Sequence, residues 1–218
     1  MTAEELTAVV RGCLSVLDDV MQKIAADHGD GALGLFKADA KRFTECFITV
    51  CFALLLAPRQ QVFREMTLDT LERPQQSTSS NYIVRISAER TKVGHPVLLR
   101  VPDVLTAKFD FYLSHILPAG HTGHVFLQRG GQPRQDFSSA TRAVTKQLIG
   151  RAVNAHQFRH CITTLFHGRK DASDMMMRQL AETMNHDTQT QMQFYVHQHR
   201  LEAQERMQTM LMEQVRRE

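Results

Sequence analysis

The chain has 218 residues, 43% of them hydrophobic and 22% charged, with a formal net charge of +3 and a pI near 8.8. That length suits one domain, or one domain with an appendage, and supplies enough apolar material for a sizeable core. No apolar run reaches the ~20 residues of a membrane span and no basic-then-apolar leader opens the chain, which argues against a helical membrane protein.

Cys13, Cys46, Cys51 and Cys161 are scattered through apolar segments without metal-ligand pairing. They are expected to be reduced, buried thiols of an intracellular protein. The mild overall basicity permits a nucleic-acid partner without requiring one. Its distribution says more: residues 81–160 hold eleven Lys and Arg against four acids, Glu89, Asp103, Asp110 and Asp136. Such a stretch is either a solvated surface or a face that tracks phosphates. Arg85, Arg90, Arg129, Arg134, Arg142 and Lys146 are its candidate DNA contacts.

Thr2 and Glu5 form a capping-box pattern, and Leu6, Val9, Val10, Cys13, Leu14, Leu17, Val20, Met21 and Ile24 follow at helical spacing. A first amphipathic helix therefore ends near residues 27–29. Residues 29–34 form a glycine-rich turn that lacks the Lys-Ser/Thr of a phosphate-binding loop. A second helix, about 38–56, has almost no polar face and is expected to be buried. Pro58 ends it and places Arg59 at its exit. A short helical turn over 60–66 and a polar loop over 73–80 come next.

Residues 82–87 and 96–101 read as the strands of a hairpin, with Lys92 at its tip or at the start of the return strand. Helices follow over 104–117 and 137–149, the second stopped by Gly150. Asn154 is an N-cap for a helix to about His167 that carries His156 and Arg159 near its positive end. Another helix starts at Asp171 or Ser173 and runs to Met184, with Met175, Met176 and Met177 as core filler. Asp187 caps a short helix reaching Tyr195. The remainder, to Glu218, is a last helix with a sparse apolar stripe. The outcome is a mainly α fold with a small antiparallel β-sheet.

Single signals here are weak. His-x-x-Arg is common in a chain rich in both residues, and a lone Arg or Lys is usually a salt-bridge partner or a solvated charge. His160 with His156, or His197 with His199, could form a metal pair, but the His-Glu-x-x-His pattern is missing and a solvated helix face accounts for them. The ordered set carries the weight: Arg59 at a helix exit, Lys92 on a hairpin, His156 and Arg159 opening a helix, His186, and Tyr195 nine residues later.

In that order and spacing the sequence resembles the tyrosine recombinases, the integrases and transposases that cut DNA with a tyrosine. The resemblance is to the catalytic domain and spans residues 1–197, leaving 198–218 as a helical tail. It implies that Arg59 and Arg159 are the catalytic arginines, Lys92 the hairpin lysine, His156 the first histidine, His186 the second and Tyr195 the nucleophile. The sequence departs from the family's Thr-Gly-Leu-Arg with Leu-Ala-Pro-Arg, from the acid three residues later with Val62, and from Leu-Gly-His with Asn185 before His186. The Gln-rich stretch from Met184 to Tyr195 is similar to transposases of Crypton-type elements.

What the resemblance implies chemically is coherent. Two arginine forks grip the phosphoryl oxygens. Tyr195, with an ordinary pKa near ~10, attacks phosphorus with help from His156 and the arginines. Lys92 protonates the leaving 5′ oxygen, and His186 hydrogen-bonds a phosphoryl oxygen. Bond energy is kept in the 3′-phosphotyrosyl ester, so neither metal, ATP nor any other cofactor is implied.

The expected partners are double-stranded DNA and further copies of the chain, a tetramer on paired sites, with the tail docking on a neighbour or folding back on its own domain. Localisation follows from the source: nuclear for a eukaryotic mobile element, cytoplasm or nucleoid otherwise. The alternatives are a type IB topoisomerase, which acts as a monomer, and a DNA-binding module that has lost catalysis. Family members carry a helical core-binding domain before the catalytic one. With 58 residues ahead of Arg59, weak and strongly salt-dependent DNA binding is expected.

Overall fold

A computed structural model describes residues 1–26, 33–73, 81–92, 94–128, 130–168 and 173–184. Helix α1 (Ala3–Ala26) starts at the anticipated capping box: the Glu5 carboxylate accepts from the Thr2 amide at 2.7 Å and the Thr2 hydroxyl from the Glu5 amide at 3.1 Å. It buries Val9, Cys13, Val16, Leu17 and Val20, one stripe at helical spacing, chiefly against α2 (Leu33–Leu54). Helix α2 begins five residues before the expected start and takes Gly34 into its first turn. A glycine there costs only about 1 kcal/mol of helix propensity, which the long apolar segment behind it outweighs.

The core is aromatic. Phe47 of α2 lies 5.4 Å from the Tyr112 ring, and Phe126 meets Phe137 edge-on at 5.8 Å. The buried Tyr112 hydroxyl donates to the Val125 carbonyl at 3.0 Å, so its polar end is satisfied. Helix α3 (Gln60–Glu65) is short, but Val62 and Phe63 anchor it, the Phe63 ring lying 4.3 Å from Phe52 and 5.6 Å from Phe137. Each such side chain contributes roughly 1.5–3 kcal/mol by burial. That packing holds the first turn of α3, and Arg59 with it.

The sheet has three antiparallel strands in the order β1 (Leu71–Glu72), β2 (Ile83–Ile86), β3 (Val97–Arg100). Val84 pairs with both Leu71 and Leu99, and Val84, Ile86, Val97 and Leu99 face the core. The hairpin is therefore as expected, while β1 adds a third strand too short to show a period-two pattern.

Helix α4 (Asp103–Phe111) is shorter than expected, because the segment continues as a wider π-type turn over Tyr112–Ile116. Helix α5 (Ser138–Ile149) ends at Gly150, whose φ of 70° is the left-handed cap that glycine allows. The Thr145 hydroxyl then accepts from the Val153 amide at 2.8 Å, turning the chain into α6 (Ala155–His167). Helix α7 (Asp174–Thr183) corrects one expectation: Met175 and Met176 are 68% and 37% exposed, so they do not fill the core. The apolar side of this helix is instead Leu180, Ala181 and Met184. The helices expected beyond residue 184, and the polar loop over 74–80, lie outside the described residues.

Candidate active site

Arg59 stands at the N-terminal boundary of α3 with extended backbone, φ −59° and ψ 145°. The turn before it is strained: Leu56 and Ala57 have φ of 58° and 47°, in the left-handed region that non-glycine residues avoid. Pro58 then fixes the exit. The backbone thus turns sharply between α2 and α3, and Arg59 is set at the turn's end, half-buried.

Asn154 caps α6 as the sequence indicates: its side chain accepts from the Gln157 amide at 2.9 Å, and the Gln157 side chain returns the bond to the Asn154 amide at 2.9 Å. This fixes the first turn, which carries His156 outward and Arg159 inward. Arg159 is only 6% exposed. Its guanidinium donates to the Ala57 carbonyl at 2.8 Å and to the Met184 carbonyl at 2.9 Å. One side chain therefore ties the strained turn before Arg59 to the end of α7. Burial, and then the nearby Arg59 cation, push the Arg159 guanidinium down to about 10, still protonated at neutral pH. Two cations that feel each other across a partly buried site form an arrangement that an anion between them would relieve.

His156 is exposed and sits one helical turn before His160. Their Nε2 atoms are 3.0 Å apart and the rings meet edge-on with centroids at 4.5 Å. Partial burial, then His160 and Arg159, hold His156 below the usual histidine range, which keeps its imidazole neutral and able to accept a proton near pH 7. Helix spacing suggests one shared face for His156 and Arg159; the structure separates them into an exposed and a buried position that communicate through charge.

Lys92 lies exposed on the turn between β2 and β3. Its amide donates to Gln61 Oε1 at 3.1 Å, and Gln61 Nε2 donates to the Arg90 carbonyl at 3.3 Å. The hairpin turn is thus fastened to α3, two residues beyond Arg59. A small, shallow cleft lies between them, lined by Arg59, Gln61, Val62, Glu65, Ile86, Arg90 and Thr91. His186 and Tyr195 lie outside the described residues. The chain leading to them leaves α7 at Met184, whose side chain is fully buried and whose carbonyl Arg159 holds.

The candidate DNA contacts differ in what they already do. Arg142 and Lys146 are exposed one turn apart on α5. Arg85 makes a two-point pair with Glu72, at 2.7 and 3.3 Å. Arg90 donates to the Glu65 carbonyl at 2.7 Å and the Thr67 hydroxyl at 3.1 Å, and pairs with the Glu65 and Asp69 carboxylates. Arg134 donates to the Asp136 carbonyl at 3.3 Å while its buried Nε lacks a partner. Arg129 lies outside the described residues. Among the described residues no three His, Cys, Asp or Glu side chains gather as a metal site. Reading the sequence missed Gln61 and the two main-chain carbonyls of Ala57 and Met184; a carbonyl belongs to every residue and leaves no mark in a sequence.

No family model matches the sequence, and no curated protein matches it. Solved structures do. XerH site-specific recombinase bound to its palindromic difH substrate, a post-cleavage complex, superposes with a TM-score of 0.59 at 15% identity over 93% of this chain. The pre-cleavage XerH–difH complex gives 0.58 at 14% over 90%, and XerA recombinase 0.54 at 14% over 90%. This chain has the tyrosine recombinase catalytic-domain fold. It spans about half the length of the recombinase chains it matches, 51%, 49% and 59% of them respectively. On this fold the acid expected three residues after the first arginine is Val62, packed into the core at 3% exposure.

Proposed function

We propose that the chain is the catalytic part of a DNA strand-transfer enzyme, a recombinase, integrase or transposase, that cuts and rejoins double-stranded DNA through a 3′-phosphotyrosyl intermediate. The observation that carries this reading is the Arg159 side chain, buried on a recombinase fold and bonded to the turn that presents Arg59. A pair of preorganised cations stabilises a phosphorane-like transition state without reorganisation at the moment of reaction.

Arg59 and Arg159 hold the phosphoryl oxygens, with His186 as a further donor. His156, kept neutral, takes the Tyr195 proton as the phenol attacks phosphorus. Lys92 gives a proton to the departing 5′ oxygen. Reversal with a second 5′ hydroxyl rejoins the strand, so the phosphotyrosyl bond energy suffices. Arg142 and Lys146, on the exposed side of α5 and without a close salt bridge among the described residues, are the strongest DNA-backbone contacts of the candidate set, with Arg85, Arg90, Arg129 and Arg134 secondary. Residues 1–197 form the catalytic domain, and the tail over 198–218 docks on a neighbouring copy in a DNA-bound tetramer. The Gln-rich approach to Tyr195 favours a mobile-element transposase, which would act in the nucleus of a eukaryotic host.

The test is covalent capture on nicked duplexes of randomised sequence. The native chain is expected to form a denaturant-resistant protein–DNA adduct, and Tyr195→Phe none. An adduct that persists in the Phe variant removes Tyr195 from the mechanism.

A further inference from the structure

The Lys92 side chain is exposed, yet a general acid must stand within hydrogen-bond reach of its leaving oxygen. What the structure fixes is its backbone. Gln61 occupies both polar ends of its side-chain amide on the hairpin turn, accepting from the Lys92 amide at 3.1 Å and donating to the Arg90 carbonyl at 3.3 Å. The turn is secured from the other side by Arg90, whose guanidinium returns to α3 at the Glu65 carbonyl, 2.7 Å away. Thr91 closes the turn internally, its hydroxyl donating toward the Ala88 and His95 carbonyls at 3.0 and 2.8 Å. Gln61 itself cannot drift, because the next two residues, Val62 and Phe63, are buried at 3% and 1% exposure.

From this geometry we infer that Gln61 is a positioning residue that sets the distance between the proton donor Lys92 and the phosphate-gripping Arg59. This rests on the functional reading above and adds a residue to it. In the step concerned, the Tyr195 oxygen forms its bond to phosphorus while the bond from phosphorus to the 5′ oxygen breaks. The electron pair of the broken bond goes to that oxygen, and the Lys92 Nζ proton joins it. Gln61 touches neither phosphate nor proton. Without its amide the turn loses the two bonds Gln61 makes and keeps only those of Arg90, so Lys92 samples positions away from the leaving oxygen. Misplacement of a reacting group by about 1 Å costs on the order of 100-fold in rate.

The experiment uses the full chain and a nicked duplex of the sequence captured covalently from the randomised pool, made in two forms. One has the natural 5′ oxygen at the scissile bond. The other has sulfur there, which leaves as a thiolate of pKa about 8.5 and needs no proton. Gln61→Ala is expected to slow cleavage of the oxygen form by roughly 10- to 100-fold and to cleave the sulfur form at the native rate. Lys92→Ala should show the same split, and Arg59→Ala should lose both substrates. Gln61→Met, which keeps the side-chain length and lacks the amide, should behave as Gln61→Ala does. In both Gln61 variants, hydrogen exchange at the Lys92 amide should accelerate.

Equal losses on the two substrates, or native rates on the oxygen form, overturn the assignment of Gln61. Failure of the native chain to give a Tyr195-dependent adduct even with the sulfur substrate overturns the functional reading itself. An unchanged Lys92 exchange rate overturns the clamp without recourse to activity.

Discussion

The Arg159 guanidinium donates to the carbonyl of Ala57, 102 residues earlier in the chain, across a distance of 2.8 Å. This bond makes Arg159 structural as well as catalytic in prospect. Arg159→Ala leaves the carbonyls of Ala57 and Met184 without their donor inside the core, and such orphaned groups cost roughly 1–3 kcal/mol each. Urea denaturation should show a loss of roughly 2–4 kcal/mol, with helical circular dichroism retained in the absence of denaturant. A variant as stable as the native chain would show that the bonds contribute nothing net.

The left-handed turn at Leu56 and Ala57 predicts unequal responses to two small substitutions at Ala57. Ala57→Val places a β-branched side chain at a φ of 47° in a fully buried position and should cost about 2–3 kcal/mol. Ala57→Gly gives up a methyl group but relieves the backbone, and the two effects should cancel to within about 1 kcal/mol. Thermal unfolding of both variants decides between strain and burial. If Gly were the more damaging of the two, the turn would not be strained.

Protonation of His156 should oppose both folding and catalysis. Its folded pKa lies below the unfolded value, so the unfolded chain binds more protons as pH drops through the ordinary histidine range of about 6.5. Stability from this group is complete above that value and is lost on acidification toward the lowered folded pKa. In the proposed mechanism the same titration removes the base for Tyr195. Proton NMR of the imidazole should find its pKa raised by His160→Ala, because the neighbouring ring lowers it. No change in that variant would leave burial and Arg159 as the causes.

DNA affinity should separate from stability at Arg142 and Lys146. Replacing either with Ala removes one phosphate contact, which lowers the slope of log affinity against log salt by about 1. Unfolding midpoints should stay within about 0.5 kcal/mol of native. Arg90→Ala should instead lower stability, since its side chain bonds Glu65 and Thr67. Identical salt slopes for the native and Arg142→Ala chains would take α5 out of the interface.

Much of the fold was legible because local chemistry announced it. Thr2 with Glu5, Asn154, and Gly150 each marked a helix end through local chemistry, and the structure adds Gln157 as the reciprocal partner of Asn154. The β1 strand was not legible: two residues cannot display alternation, and Leu71 and Glu72 are strand only because Ile83 and Val84 lie beside them. Methionines 175 and 176 misled because a run of apolar side chains goes all round a helix, and only tertiary packing decides which side is covered. The candidate site was expressed in the sequence as residue types in order, and Arg59, Lys92, His156 and Arg159 are those of it that fall among the described residues. Its assembly was not legible there, since Arg159 is held by main-chain oxygens and Lys92 by a glutamine that no motif contains.

Arg159 bonds simultaneously to segments near residues 57 and 184, so its arrangement is a late event in the birth of the protein. While the chain is being synthesised, the first arginine and the hairpin lysine are finished long before the end of α7 emerges. Until that moment the cations exist without their geometry. A chain that stopped short of Met184 would leave Arg159 with one of its two main-chain acceptors and the turn at Ala57 untied from α7.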